Sequence, residues 1–583
     1  MKAIKQVASL LLATILSVGA ASAQGKAKSK QPTKSYLLET AIPKRPAGQR
    51  DVLGLRHAPM PVVRVGFIGL GMRGPGAVER FTQIEGVEIK ALCDLHPDRV
   101  EKSQAILKKA GFPEAATYSG SEEAWKQLCD RPDIDLVYIA TDWARHAPMM
   151  IYAMQKGKHV ACEVPAVTTL KEAWDVINTA ERTQRHCMML ENCVYDFFEL
   201  TTLNMAQQGL FGDVLSAKGA YIHNLEPFWK YYEGNWRLKF NQENRGDVYA
   251  THGLGPACWV LNIHRGDRME YLTSMDVPAT SIPRFMEKQL GVKNPVVKNG
   301  EMTQTLIKTA LGKTIYLEHN VASYRPYDRM YQVIGTDGFA NKYPNEGYAL
   351  RPTEQNLKAV PNHEDLKSHD YVSDATRDEL MKKYQHPIQK EIAEKAKKVG
   401  GHGGMDFIMD YRLIYCLRNG LPLDMDVYDL AEWSVIGDLT RLSLEHQSAP
   451  VAFPDFTRGA WKRIKGLQLH FSLSQDGAPM YRLSFADGQE IIRPSHLGLE
   501  MTDAKKSFDK GLEVTDTKES TFDETWKPVW GEVKSIRNNY NELLVTLKKK
   551  SNGDPIAIRF RLFDDGLGFR YEFPGGKDRN FYV

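Results

Sequence analysis

The chain has 583 residues, 42% hydrophobic and 25% charged, enough apolar content for about three or four domains with sizeable cores. Its formal net charge of +4 is small for that length, and no basic stripe interleaved with aromatics occurs, which sets nucleic acid aside as a partner. The 7 cysteines are scattered through apolar patterns with no C-x-x-C pair, so they read as small buried residues and not as zinc or redox groups.

Residues 1–23 carry Lys2 and Lys5, an apolar run at 7–20 and then Ala21-Ser22-Ala23, the layout of a cleaved secretory signal peptide. That run is too short for a spanning helix, and no cysteine follows it to take a lipid. The mature protein is therefore expected to be exported, periplasmic or secreted, with no membrane span. Residues 24–60 are polar, basic and punctuated by Pro32, Pro43, Pro46 and Pro59, and are expected to be a tether.

Residues 62–94 are the stretch around which the chain is organised. A β-branched run at 62–68 reads as a buried parallel strand; Gly69, Gly71 and Gly74 then form a G-x-G-x-x-G turn that leads into a helical pattern. The first glycine suits a tight turn, the second a closely approaching pyrophosphate, and the third helix-on-strand packing, all beside a helix N-terminus of partial positive charge. A second strand at 87–93 ends in Asp94, placed where a carboxylate binds a ribose hydroxyl and favours NAD over NADP. Arg73, inside the turn, reads as either a phosphate-facing or a solvated arginine.

Further strands are expected at 135–140, 158–163 and 187–191, with helices between, one opened by Thr169 with Glu172 three residues on. Residues 61–192 thus read as a doubly wound parallel sheet, an α/β Rossmann domain, whose ligands lie beyond the carboxyl ends of its strands. Three of those ends are chemically rich: Thr141-Asp142-Trp143-Ala144-Arg145-His146, Glu163-Val164-Pro165 and Glu191-Asn192. Here the chain resembles the oxidoreductase family of glucose-fructose oxidoreductase and inositol dehydrogenase, in which one of these strands normally ends in Glu-Lys-Pro. Val164 stands in place of the lysine that assists hydride chemistry in that family, which argues against plain dehydrogenase activity.

Residues 193–463 mix helical and strand patterns and are expected to form an α+β domain with an open antiparallel sheet, a surface also suited to a homo-oligomer. Its strands are placed at 214–223, 302–309, 313–319 and 329–335, with an Asp337-Gly338 turn after the last. Residues 354–398 read as a charged helical insertion, and Gly401-His402-Gly403-Gly404 as either a connector or a loop that directs His402 into a site. Tyr221, Trp236, Arg237, Tyr249, His252, Tyr324 and Tyr327 form a polar-aromatic set suited to a sugar, whose C–H faces stack while its hydroxyls hydrogen-bond.

Together Met72-Arg73, Trp143-Ala144-Arg145-His146, Glu163-Val164, Asn192 and Tyr249-Ala250-Thr251-His252 closely resemble glycoside hydrolase family 109, the NAD-dependent α-N-acetylgalactosaminidases, over about residues 40–463. The resemblance implies that Met72, Arg73, Asp94, Trp143, His146, Glu163, Val164 and Asn192 bind NAD. It implies that Tyr221, Arg237, Tyr249, Ala250, Thr251, His252 and Tyr327 line the sugar site. The expected reaction oxidises carbon 3 with NAD, removes the carbon 2 proton, eliminates the leaving group, adds water and re-reduces the sugar, so no flanking carboxylate pair is required. His252 is the first choice for proton transfer and Tyr195 the second, with the acid and base roles undivided. No metal cluster is expected. An NAD-dependent sugar or cyclitol dehydrogenase and a non-catalytic carbohydrate-binding protein are the alternatives.

Residues 464–583 alternate as short strands separated by Asp476-Gly477, Asp487-Gly488 and Asp565-Gly566 turns, an all-β antiparallel pattern. They resemble the start of the N-terminal sandwich of glycoside hydrolase family 97, most specifically at 523–532, which contains Trp526 and Trp530. A partial sandwich without a second active site is expected, with the two tryptophans suited either to carbohydrate or to packing.

Overall fold

In a computed structural model of the chain, six short apolar strands pair in parallel: β1 (Val63–Ile68), β2 (Val87–Cys93), β3 (Ala116–Tyr118), β4 (Leu136–Ile139), β5 (His159–Cys162) and β6 (Cys187–Met189). Their order is β3-β2-β1-β4-β5-β6. The central strands are buried residue after residue, because helices cover both faces and leave no solvent side to alternate toward. β1 lies between β2 and β4, so the strand order reverses beside it and opens a crevice at the carboxyl ends. The described residues are 36–462, 467–484, 490–501, 503, 506–526, 536–563 and 566–574.

The second sheet holds β7 (Val214–Ile222), β8 (Met269–Val277), β9 (Met302–Thr309), β10 (Thr314–Asn320), β11 (Gln332–Gly335), β12 (Gly338–Asn341), β13 (Gly347–Leu350) and β14 (Val451–Ala452). In order β13-β12-β11-β7-β10-β9-β8-β14 it is antiparallel apart from the central β7–β10 pair, which runs parallel. β8, β12, β13 and β14 were not anticipated from the pattern. The helix Thr251–Val260 lies directly on β7, and only glycines permit it: a Cβ on Gly219 would stand 2.1 Å from the Gly253 carbonyl oxygen. That close approach brings the first turn of this helix over Tyr221.

The expected tether at 24–60 needs correcting from Leu38 onward, where the chain belongs to one compact unit. Leu38 donates its N–H to the Pro450 carbonyl (2.8 Å) and accepts from Ala452 N–H (2.9 Å). Arg45 forks onto the buried Glu181 at 2.9 and 3.0 Å, and Val52 and Leu53 are buried. These apolar and backbone partners make the segment a docked strap despite its prolines. The expected signal peptide lies outside the described residues, and no described helix is long and apolar enough to cross a membrane.

The C-terminal segment forms a three-stranded sheet, β15 (Gln468–Leu473), β16 (Pro479–Ser484) and β17 (Glu490–His496), and a four-stranded one, β18 (Leu512–Trp526), β19 (Ile536–Lys549), β20 (Pro555–Phe563) and β21 (Leu567–Glu572). Both are antiparallel and share a small core that includes Leu497, Phe508, Val545, Leu547, Ile556 and Phe560. Trp530, the side chain of Trp526 and the Asp487-Gly488 turn lie outside what is described. All seven cysteines are free and buried.

Candidate active site

The turn after β1 is shaped for a pyrophosphate. Gly69 has φ +90° and a Cβ there would stand 2.6 Å from the Ala140 carbonyl; a Cβ on Gly74 would stand 2.0 Å from the Gly69 oxygen. At Gly71 a Cβ would meet only the Arg99 guanidinium, at 3.6 Å, so the backbone is open to a ligand. Asp94 accepts the Leu70 N–H at 2.7 Å and the His96 N–H at 2.9 Å, locking the turn while its carboxylate keeps lone pairs for a ribose hydroxyl. His96 and Arg99 both reach Glu233 of the second domain, at 2.7 and 3.0 Å, across the side of the turn that holds this acid.

Beyond β5 and β6 a charged network lines the crevice. Arg73 donates to Glu163 (3.2 Å) and to Asp406 (3.1 Å), and Asn192 donates to the other oxygen of Asp406 (2.5 Å). His402 Nδ1 lies 2.9 Å from Asp406, so the glycine-rich loop does bring this histidine to the dinucleotide turn. Burial disfavours the Asp406 carboxylate, yet His402, Arg73 and Arg80 hold it below the usual carboxylate range. Burial pushes its neighbour Asp410 up to about 7. Met72 is exposed on the turn and Val164 is buried beside Glu163.

His146 takes a different place from the one expected. It is fully buried, with Nδ1 facing the Pro165 carbonyl at 2.9 Å and Nε2 facing that of Thr141 at 3.1 Å. Both nitrogens face carbonyls, of which a neutral ring donates to one, so the buried ring braces the loops after β4 and β5 and is turned away from a cofactor. Burial lowers its basicity.

Trp143 joins the two domains. From the first turn of the helix Trp143–Gln155 it stacks on Tyr249 at 5.6 Å and meets Trp236 and Phe240 edge-on at 5.2 and 4.9 Å. Arg237 lies in the resulting cage, its guanidinium 4.5 Å from the Tyr249 ring centroid and 5.2 Å from that of Trp143. It donates to Tyr232 Oη (2.6 Å) and Tyr221 Oη (3.3 Å). Among the described residues no carboxylate pairs with it, and the ring faces and phenol oxygens of Tyr221, Tyr232 and Tyr249 offset its charge. Tyr327 is partly exposed, with its ring 5.2 Å from His223, whereas Tyr324 stands free in solvent.

His252 sits where cage and crevice meet, 5.1 Å from the ring of Tyr249 and 5.5 Å from that of Tyr221. Ala250 and Thr251 are buried and set the helix start that carries it. Its Nδ1 lies 2.8 and 2.9 Å from the two oxygens of Glu191, which also accepts the Cys193 N–H at 3.0 Å. Burial alone raises the Glu191 carboxyl, but His252 and the hydrogen bonds it receives bring it below the usual range. The sequence named Glu191 only as half of a rich strand end; its tie to His252 had no local signal.

The donor atoms of Glu191, Cys193 and His252 lie within 4.8 Å of one another, a spacing that also suits a metal. Burial pushes the Cys193 thiol well up, which keeps it protonated and a poor ligand, so the carboxylate–histidine pair describes the cluster better. Tyr195 does not fit its expected catalytic role. It is fully buried, its hydroxyl donates to Asp424 at 3.2 Å and its ring meets Trp259, which leaves no free hydroxyl for a substrate.

A dinucleotide crevice that opens onto a buried arginine–aromatic cage and a carboxylate-held histidine defines a dinucleotide-dependent carbohydrate enzyme. Residues 63–191 match the NAD-binding Rossmann fold of an oxidoreductase family, residues 195–463 the C-terminal domain of glycosyl hydrolase 109, and residues 465–583 the N-terminal domain of glycosyl hydrolase 97. "Glycosyl hydrolase family 109 protein 1" of Bacteroides fragilis is 65% identical over 435 residues, 75% of this chain and 94% of that protein. The protein of the same name from Bacteroides thetaiotaomicron is 60% identical over 463 residues, covering 79% and 99%. The chain belongs to glycosyl hydrolase family 109, and its cofactor is NAD. A levoglucosan dehydrogenase solved with NADH and L-sorbose shares the fold, with a TM-score of 0.52 and 20% identity over 68% of this chain and 100% of that one.

Proposed function

We propose that this NAD-dependent glycosidase is exported and releases terminal α-linked N-acetylgalactosamine from glycans. Export rests on the signal-like residues 1–23, and the choice of sugar on the family's motifs at Trp143, Glu163-Val164 and Tyr249-Ala250-Thr251-His252. The observation that carries the reading is the position of His252, which borders both the dinucleotide crevice and the arginine–aromatic cage.

Bound between the glycine turn and the network of Arg73, Glu163 and Asn192, NAD supplies reversible hydride acceptance at carbon 3 of the sugar. The protein does the rest. Tyr327, the exposed ring among those expected to line the sugar site, offers a face to the sugar's C–H groups, while Tyr221, Tyr249 and Trp143, packed on one another and around Arg237, form a rigid wall of the site. His252 moves a proton at its ring nitrogen, as elimination across carbons 1 and 2 requires and as water addition reverses. Val164, in place of a lysine, leaves no ammonium at the end of β5.

The test is hydrolysis of a chromogenic α-N-acetylgalactosaminide in deuterated water by the NAD-loaded protein. Deuterium at carbon 2 of the released sugar is expected. Sugar released without it, or no release at all, removes this reading.

A further inference from the structure

We infer that Glu191 is a positioning residue that fixes the tautomer and aim of His252, so that Nε2 is the working nitrogen. This rests on the assignment of proton transfer to His252. The two residues are 61 positions apart, one beyond β6 and the other in the first turn of the helix lying on β7. An ionised carboxylate only accepts hydrogen bonds, so an Nδ1 held 2.8 and 2.9 Å from its two oxygens must carry the proton. The Nε2 lone pair is thereby left over, and no hydrogen bond among the described residues engages it. The His252 side chain keeps 13% of its surface while Glu191 keeps none, which places the open nitrogen on the accessible side.

The burial of Glu191 also favours a functional role over a packing one. No arginine or lysine pairs with this carboxylate among the described residues; its partners at 3.0 Å or less are the His252 ring and the Cys193 N–H. Burying a charge against one imidazole, one amide and the Thr251 hydroxyl is costly unless the imidazole gains a proton during turnover. When His252 takes a proton from the sugar, the negative charge of Glu191 stabilises the imidazolium that forms. This is the logic of a carboxylate behind a catalytic histidine, in which the carboxylate orients the ring and does not itself take the proton.

An amide of the same shape breaks this arrangement. In Glu191→Gln, the Cys193 N–H and the His252 Nδ1–H compete for one oxygen, and the amide N–H2 faces a ring nitrogen that must become an acceptor. The tautomer then shifts to Nε2–H, which cannot take a proton.

The experiment compares wild type, Glu191→Gln, Glu191→Asp and His252→Ala as full-length, NAD-loaded proteins. It measures kcat and KM on the chromogenic substrate, bound NAD by absorbance of the released nucleotide, and ring 15N resonances with histidine-selective labelling, the His252→Ala spectrum identifying the His252 signals. We expect Glu191→Gln to lose roughly 10²–10⁴-fold in kcat, with KM and bound NAD within about threefold of wild type. Its His252 signals should move from the Nδ1–H to the Nε2–H pattern, and Glu191→Asp should recover part of kcat. A Glu191→Gln protein with kcat within threefold of wild type, or with an unchanged His252 tautomer, overturns the inference. If wild type itself fails to cleave the substrate, the proposed sugar chemistry falls, while the resonances still decide what Glu191 does to the ring.

Discussion

β5 and β6 carry titratable groups at both ends, and the two ends behave oppositely. At the carboxyl ends, Glu163, Glu191 and Asn192 sit with Arg73, Asp406 and His252 in a network where each buried charge has a hydrogen-bonded partner. At the amino ends, His159 and His186 pack against His57 of the strap, with ring centroids 4.6, 5.4 and 5.1 Å apart. Among the described residues no carboxylate reaches them. Burial, reinforced by the neighbouring rings and Arg185, drives His159 well below the usual histidine range and His186 to about 3. Burial with a counter-charge yields an ionised working site; burial without one yields a neutral clasp that acid will open.

The comparison breaks most visibly at His252. Its replacement by alanine is expected to lower sugar release by at least ~10³-fold with NAD still bound, since general acid–base groups supply factors of this order. Glycan hydrolysis and nucleotide content, measured on the same sample, check it. Retained activity would move proton transfer to another residue.

The amino-end clasp predicts acid sensitivity. In the folded protein His159 and His186 bind protons only far below 6.5, whereas in the unfolded chain they do so near 6.5. Below that pH the unfolded state therefore takes up protons that the folded state refuses. Their contribution to stability is complete above about 6.5 and declines as pH falls toward 3. The loss is about 1.4 kcal/mol per pH unit per histidine, about 2 kcal/mol each at pH 5. His186→Leu should flatten its share of that slope in denaturant melts taken from pH 7.5 to 5.

Two smaller effects sharpen the picture of the carboxyl ends. Arg73→Met removes the cation that Glu163 and Asp406 share, and should weaken NAD binding by about tenfold, the value of about one good charge-assisted hydrogen bond. Titration calorimetry on protein stripped of nucleotide measures it. Glu233→Gln loosens the contacts to His96 and Arg99 that cross beside Asp94. Exposed pairs of this kind are worth about 0–1 kcal/mol, so NAD should dissociate only a few-fold faster in a dilution assay.

Much of the dinucleotide half was legible because its signals are local. The glycine turn, the acid after β2 and the rich strand ends all lie within a few residues of the strands that position them. His146 differs from expectation because a motif position does not reveal that the ring is buried between carbonyls from two different loops. Tyr195 misled in the same way, since Asp424, the partner of its hydroxyl, comes from 229 residues away. In the second domain β8, with its imperfect alternation, and the very short β12 to β14 carried too little periodicity to register.

By itself the sequence determined the class of cofactor, the family and the residue types at the site, because strand periodicity, glycine spacing and short motifs are contiguous properties of the chain. Only the tertiary structure decided that Glu191 stands behind His252, that Asp406 and His402 close on the dinucleotide turn, and that residues from 38 onward dock instead of trailing. The physical reason is the same in each case. A buried charge or backbone donor must find a partner, and which distant segment supplies it depends on how the two sheets and their helices pack together.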